Sequence, residues 1–130
     1  RHLLVFVTIR LARRLSRSNL IGAVGHIERY NPALQEARRR LAAGDLGAVY
    51  QVVTRRQGPF PARIADVGVV KDLATHDIDL TAWVTQQPFA SVAARTAHRS
   101  GREHEDLVAV TGSLADGTVT SHLVNWLSPL

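Results

Sequence analysis

At 130 residues, 45% of them hydrophobic and 21% charged, the chain has the length and balance of one globular domain with a real core. It contains no cysteine, which excludes disulfides and thiolate metal sites, and no apolar run nears the roughly 20 residues that span a bilayer. The net charge of +5 is local: Arg1, Arg10, Arg13, Arg14 and Arg17 all precede the first acid, Glu28, and from residue 18 onward 11 basic residues face 11 acids.

In chain order, residues 3–9, LLVFVTI, fit either a strand or a buried helix, without the full pattern of a signal peptide. RLARRLSRS, 10–18, favours a helix with Asn19 as its stop. LIGAVGHI, 20–27, reads as a buried strand. Residues 29–44 carry a helix-start signal, Asn31 as cap and Pro32 at the first helical position. Leu34, Ala37 and Leu41 make the stripe of this helix, and Gly44 is placed to end it. Residues 47–57 read as a strand, and 58–68 as a loop punctuated by two prolines and two glycines. A second helix is expected over about 72–86, burying Leu73, Ile78, Leu80 and Trp83.

Strands are then expected at 89–98, 105–114 and 118–127, the last two joined by a two-residue Asp116-Gly117 turn. That register would put Val110, Leu114, Val119 and Leu123 on one face and Thr111, Ser113, Thr120 and His122 on the other. The whole order implies an α+β fold: an open, mostly antiparallel sheet with helices packed on one face. Residues 1–19 form a basic N-terminal segment, read as the remnant of a preceding domain, and 20–130 the α+β domain. Because the sequence opens on Arg1 and holds no methionine, it is expected to be an excerpt or a processed product. The setting expected is cytoplasmic, without a membrane partner. Since the basic excess lies outside the folded part, nucleic acid is not the expected partner either.

The stretch DVGVVKDLATHDIDL, 66–80, holds the sharpest chemical signal. Asp72 and His76, four apart, point the same way on a helix. An imidazole there suits proton removal from an alcohol, and a neighbouring carboxylate would orient it. Taken alone, the spacing better fits an ordinary cap or first-turn acid. Arg55, Arg56 and Arg63 flank the loop that leads into this helix, and guanidinium forks suit carboxylates and phosphates. His98, Glu103, His104, Glu105 and Asp106 lie close together without a recognised ligand spacing, so no metal site is expected there. There is no G-x-G-x-x-G, Walker loop or nucleophile elbow.

VGHIERYNPAL (24–34), followed by TRRQGPFPARIADVGVVKDLATHDIDL (54–80), resembles the Gfo/Idh/MocA oxidoreductases, most closely members that look like UDP-N-acetylglucosamine 3-dehydrogenases. The resemblance implies the C-terminal, substrate-holding and dimer-forming α+β domain of an enzyme whose Rossmann half binds NAD or NADP. It implies His76 as acid/base at a sugar or nucleotide-sugar hydroxyl, with Asp72 in support. Arg29, Tyr30 and Asn31 match the segment bordering the active site, and Arg56, Arg63 and Asp66 the loop approaching the substrate. The glycine-rich fingerprint and the E-K-P lysine motif of the family are absent, and relatives continue beyond NWLSPL. The resemblance therefore implies no cofactor binding by this chain alone and a homo-oligomer as the expected assembly. The alternative function is a non-catalytic ligand-binding or dimerisation module without the Rossmann half.

Overall fold

The computed structural model describes residues 10–64 and 66–129; the segment 3–9 lies outside them. Helix α1 covers residues 10–15, inside the helix expected at 10–18. The strand expected at 20–27 is not formed. Residues 20–26 run irregularly, with Leu20 72% and Ile21 98% exposed, and a 3₁₀ turn follows at Ile27–Tyr30. An apolar run makes a strand only beside another strand, and no ladder reaches this stretch.

Helix α2, Pro32–Ala43, forms where its local signals place it. The Asn31 side chain accepts the Ala33 N–H at 3.0 Å, and Gly44 closes the helix at φ 80, a left-handed conformation that glycine adopts without steric cost. Strand β1, Gln51–Gln57, alternates exposed and half-buried residues, so it lines the sheet edge with one face covered. After the loop, a π turn at Val70–Ala74 runs directly into α3, Thr75–Thr85; the Thr75 N–H reaches the Val70 carbonyl five residues back. Of α3, Asp77 and Thr81 are the fully buried members. Leu73, Ile78, Leu80 and Trp83, expected inside, are half-buried.

Strands β2 (Phe89–Ala97), β3 (Leu107–Leu114) and β4 (Val119–Asn125) form an antiparallel meander. Strand β1 joins it parallel to β4, giving the order β1-β4-β3-β2. Two of three pairings are antiparallel, so the sheet is open and mostly antiparallel, as expected. The hairpin turn differs by one residue. The Leu114 N–H bonds to the Thr118 carbonyl, leaving Ala115, Asp116 and Gly117 as a three-residue loop with Gly117 at φ 90. That single insertion turns β4 over relative to the expected register. Val110 pairs with His122 and Gly112 with Thr120. Thr120 and His122 therefore face the helices and are buried, while Val119 faces outward and is 51% exposed.

The core lies between the sheet and the start of α3. Val69, Ala74, Val108, Val110, Val124 and Trp126 pack together, with Phe60, Ile64, Val70 and Leu73 against them. Burying such side chains contributes about 1.5–3 kcal/mol each before the entropy of ordering them is subtracted.

Candidate functional site

The site is built on the π-to-α junction. Asp72 lies in the π turn and His76 is the second residue of α3; both are half-buried. A π turn is costly and usually re-aims side chains where function needs it. Here the turn holds Asp72, and His76 follows it in α3.

Asp77 and Asp79 follow, and being two apart they leave the helix on opposite sides. Asp79 turns outward. Arg29 donates to it through Nε at 2.9 Å and through Nη2, and His26 Nδ1 lies 3.2 Å from the same carboxylate. The hydrogen bonds from Arg29 hold Asp79 below the usual carboxylate range against its partial burial, helped by the charges of Arg29, His26 and His76. Asp77 turns toward the sheet and is 3% exposed. Arg56, at the end of β1, donates to it through Nε at 3.1 Å and Nη2 at 2.9 Å, and also meets Glu28 at 2.9 Å. Burial works against the Arg56 charge, yet Asp77 and Glu28 raise its pKa. The segment His26–Asn31 is thus clamped to α3 by two guanidiniums, one from each direction.

Of the residues that the sequence singled out, Arg29 and Arg56 therefore have carboxylate partners within the domain, and the Asn31 side chain caps α2. Tyr30 is 79% exposed, and Arg63 and Asp66 are exposed on the 58–68 loop. Asp77, Asp79, His26 and Glu28 complete the arrangement without having been assigned a place in it. An alternation of acids along one helix was the available signal, but their partners stand 21 and 50 residues away in sequence.

Two further features border the site. An open cleft of about 410 Å³ runs along the outward side of α3 beyond Asp79, lined by Arg29, Arg38, Asp79, Trp83, Gln86 and Gln87. It does not include Asp72 or His76. Behind α3, His122 bonds the Thr54 hydroxyl through Nδ1 at 2.8 Å. Burial lowers the His122 pKa, and the charge of Asp77 opposes that only in part. A buried neutral imidazole is the result.

Among the described residues, the starts of α2 and of the π turn do not form a dinucleotide cradle. Such a site needs a glycine-rich turn opening onto a free helix N-terminus. Here the α2 N-terminus is capped by Asn31, and the Val70 N–H at the start of the π turn is taken by the Glu105 carboxylate at 3.3 Å. No group of three or more potential metal-ligating side chains occurs among the described residues. No helix there is long and apolar enough to cross a membrane.

An open, mixed four-stranded sheet with helices on one face defines the class: an α+β domain. The chain belongs to the GFO/IDH/MocA C-terminal domain family, whose model matches residues 34–130. It is 34% identical over 103 residues to the UDP-N-acetylglucosamine 3-dehydrogenase of Acidithiobacillus ferrooxidans, a match covering 79% of this chain and 31% of that protein. It is 29% identical over 84 residues to inositol 2-dehydrogenase 2 of Saccharopolyspora erythraea, covering 64% and 25%. The solved structure of the Acidithiobacillus enzyme superposes with a TM-score of 0.73 at 30% identity, over 92% of this chain and 38% of that one. The chain thus spans about a quarter to a third of the length of these curated relatives.

Proposed function

We propose that the chain is the substrate domain of an NAD(P)-dependent oxidoreductase that oxidises a hydroxyl of a sugar, in particular a nucleotide sugar. The observation that carries this reading is the Asp72/His76 pair at the π-to-α junction, with the His26–Asn31 segment fixed beside it by Arg29–Asp79 and Arg56–Asp77. The similarity to a UDP-N-acetylglucosamine 3-dehydrogenase supports the substrate class. His76 takes the hydroxyl proton as the carbinol carbon is oxidised, with Asp72 in support. NAD or NADP, when bound, supplies the hydride acceptor, and its binding is assigned to residues outside this chain. Tyr30, Arg63 and Asp66 are exposed and, on this reading, meet the substrate together with Arg29, Asn31 and Arg56.

The test is His76→Ala in the longer dehydrogenase that carries this domain, with UDP-N-acetylglucosamine as substrate. Turnover should fall by about 10²–10⁴, the usual worth of a positioned acid/base, while KM changes far less. Thermal melting of the same preparation should be little altered. A variant that melts earlier but turns over at full rate per folded molecule would make His76 a packing residue and end this reading.

A further inference from the structure

The connection between β2 and β3, residues 98–106, reaches across to the 58–68 loop and grips it at several points. The connection is itself held by Asp106, which is 1% exposed. Its carboxylate accepts the Arg99 N–H at 2.8 Å and both the N–H and hydroxyl of Ser100 at 2.6 Å. Its backbone ties into the sheet, donating to Ala97 and accepting from Trp126. From this braced connection Arg102 extends over the loop. Its guanidinium carbon lies 3.8 Å from the centre of the Phe60 ring and 5.1 Å from that of Trp126, within cation–π range of both. The two rings meet edge to face at 5.4 Å. Nη2 of Arg102 donates to the carbonyls of Ile64 at 3.2 Å and Val67 at 3.3 Å.

Three residues on, Glu105 fixes the end of the same loop. Its carbonyl accepts the Val69 N–H at 2.9 Å and its carboxylate the Val70 N–H at 3.3 Å. Gly68 makes room for this, since a Cβ there would collide with the Glu105 carboxylate. Among the described residues of the loop, only Pro59 makes a β-bridge, to Leu127, so the Ile64 and Val67 carbonyls depend on Arg102 as partner.

We propose that Arg102 is a positioning residue: it fastens the loop carrying Arg63 and Asp66 against Phe60 and Trp126, and so sets where those two side chains meet a substrate. Lysine would substitute poorly, because its ammonium lacks the flat guanidinium face that lies over the Phe60 ring while Nη2 reaches both carbonyls. The effect on catalysis rests on the substrate-domain reading above; the fastening of the loop does not.

The experiment is limited trypsin digestion of the full chain, following the cut after Arg63 by mass spectrometry against the cuts after Arg55 and Arg56 in β1. Arg102→Met keeps the apolar stem and removes the donors. Loss of the fastening should speed the Arg63 cut by roughly 5- to 30-fold, because cleavage tracks the population of the opened loop. The β1 cuts, which need the sheet to open, should change much less. Phe60→Leu removes the stacking platform from the other side and should act in the same direction, so the test survives if one variant folds poorly. An unchanged Arg63 cut overturns the proposal, and so does an equal rise at all three sites, which would make Arg102 a general stabiliser. In the longer dehydrogenase, Arg102→Met should raise KM for UDP-N-acetylglucosamine at least about 5-fold with kcat nearly kept. A looser loop with KM unchanged overturns the positioning role but leaves the assignment of His76 standing. Failure of the His76→Ala test leaves the digestion result untouched.

Discussion

Replacing Arg56 with Met should destabilise the domain by about 3–4 kcal/mol. Breaking a buried ion pair by removing one member costs about 3–5 kcal/mol, because the other charge is left in a poor medium for it. The Asp77 side chain is 4% exposed and Arg56 32%, so water reaches one end of the pair and the lower part of that range applies. Arg56 gives Asp77 two hydrogen bonds, both to Oδ1, and Asp77 Oδ2 has no partner among the described residues. Replacing both, Arg56→Met with Asp77→Leu, should recover most of the loss, since an apolar pair of similar volume suits that position between α3 and β1. Urea unfolding of the wild type, both single variants and the double variant gives the coupling directly, provided the denaturant slope is the same in all four. A coupling of about 1–3 kcal/mol is expected. If the single effects simply add, within about 0.5 kcal/mol, the pair does not act as a unit and the clamp on the His26–Asn31 segment is only apparent.

Stability should also fall on acidification, in two stages. His122 has a depressed folded-state pKa, so the unfolded chain binds its proton first, and stability present above about pH 6.5 is lost as pH falls below it. For Asp106, burial opposes the charge, but the bonds from Ser100 and the Arg99 and Ser100 backbone outweigh it and depress the pKa. Its contribution holds above about pH 3.9 and disappears as pH falls through the lower folded value. Melting temperatures from pH 8 to pH 3 should show the upper step vanish in His122→Phe; a curve flat between pH 7 and pH 5 in the wild type would count against the buried neutral imidazole. The chain should also self-associate, because the outward sheet face exposes Val53 and Val119 among small and hydroxyl side chains. Light scattering at high micromolar concentration that detects only monomer would contradict this, and Val119→Lys should shift the balance toward monomer.

What could be read from the sequence was what short stretches decide for themselves. Asn31-Pro32 and Gly44 bound α2 because capping is chemistry between residues at most a few positions apart. The four-residue spacing of Asp72 and His76 was local in the same way. The Asp116-Gly117 hairpin was visible too, but its third loop residue was not, since Leu114–Thr118 pairing depends on how the whole face packs; that one residue decided whether His122 lay inside or outside. LIGAVGHI misled because a β-rich composition says nothing about whether a neighbouring strand exists. The clamps Arg29–Asp79 and Arg56–Asp77 lie beyond any local reading, as the partners of each meet only once helix and sheet are assembled.

The parallel pairing of β1 with β4 has a consequence in time. Gln51 sits opposite Val119, 68 residues later in the chain, while β2, β3 and β4 are joined by short connections. Closing the long loop comes at a larger entropic cost than zipping the meander. At synthesis rates of about 5–20 residues per second, β1 leaves the ribosome several seconds before its partner exists. The meander should therefore nucleate folding, and β1, the strand that brings Arg56 to the site, should dock last. Val110→Ala should slow refolding, whereas Val52→Ala should mainly speed unfolding; the reverse pattern in stopped-flow kinetics would show that the edge strand joins early.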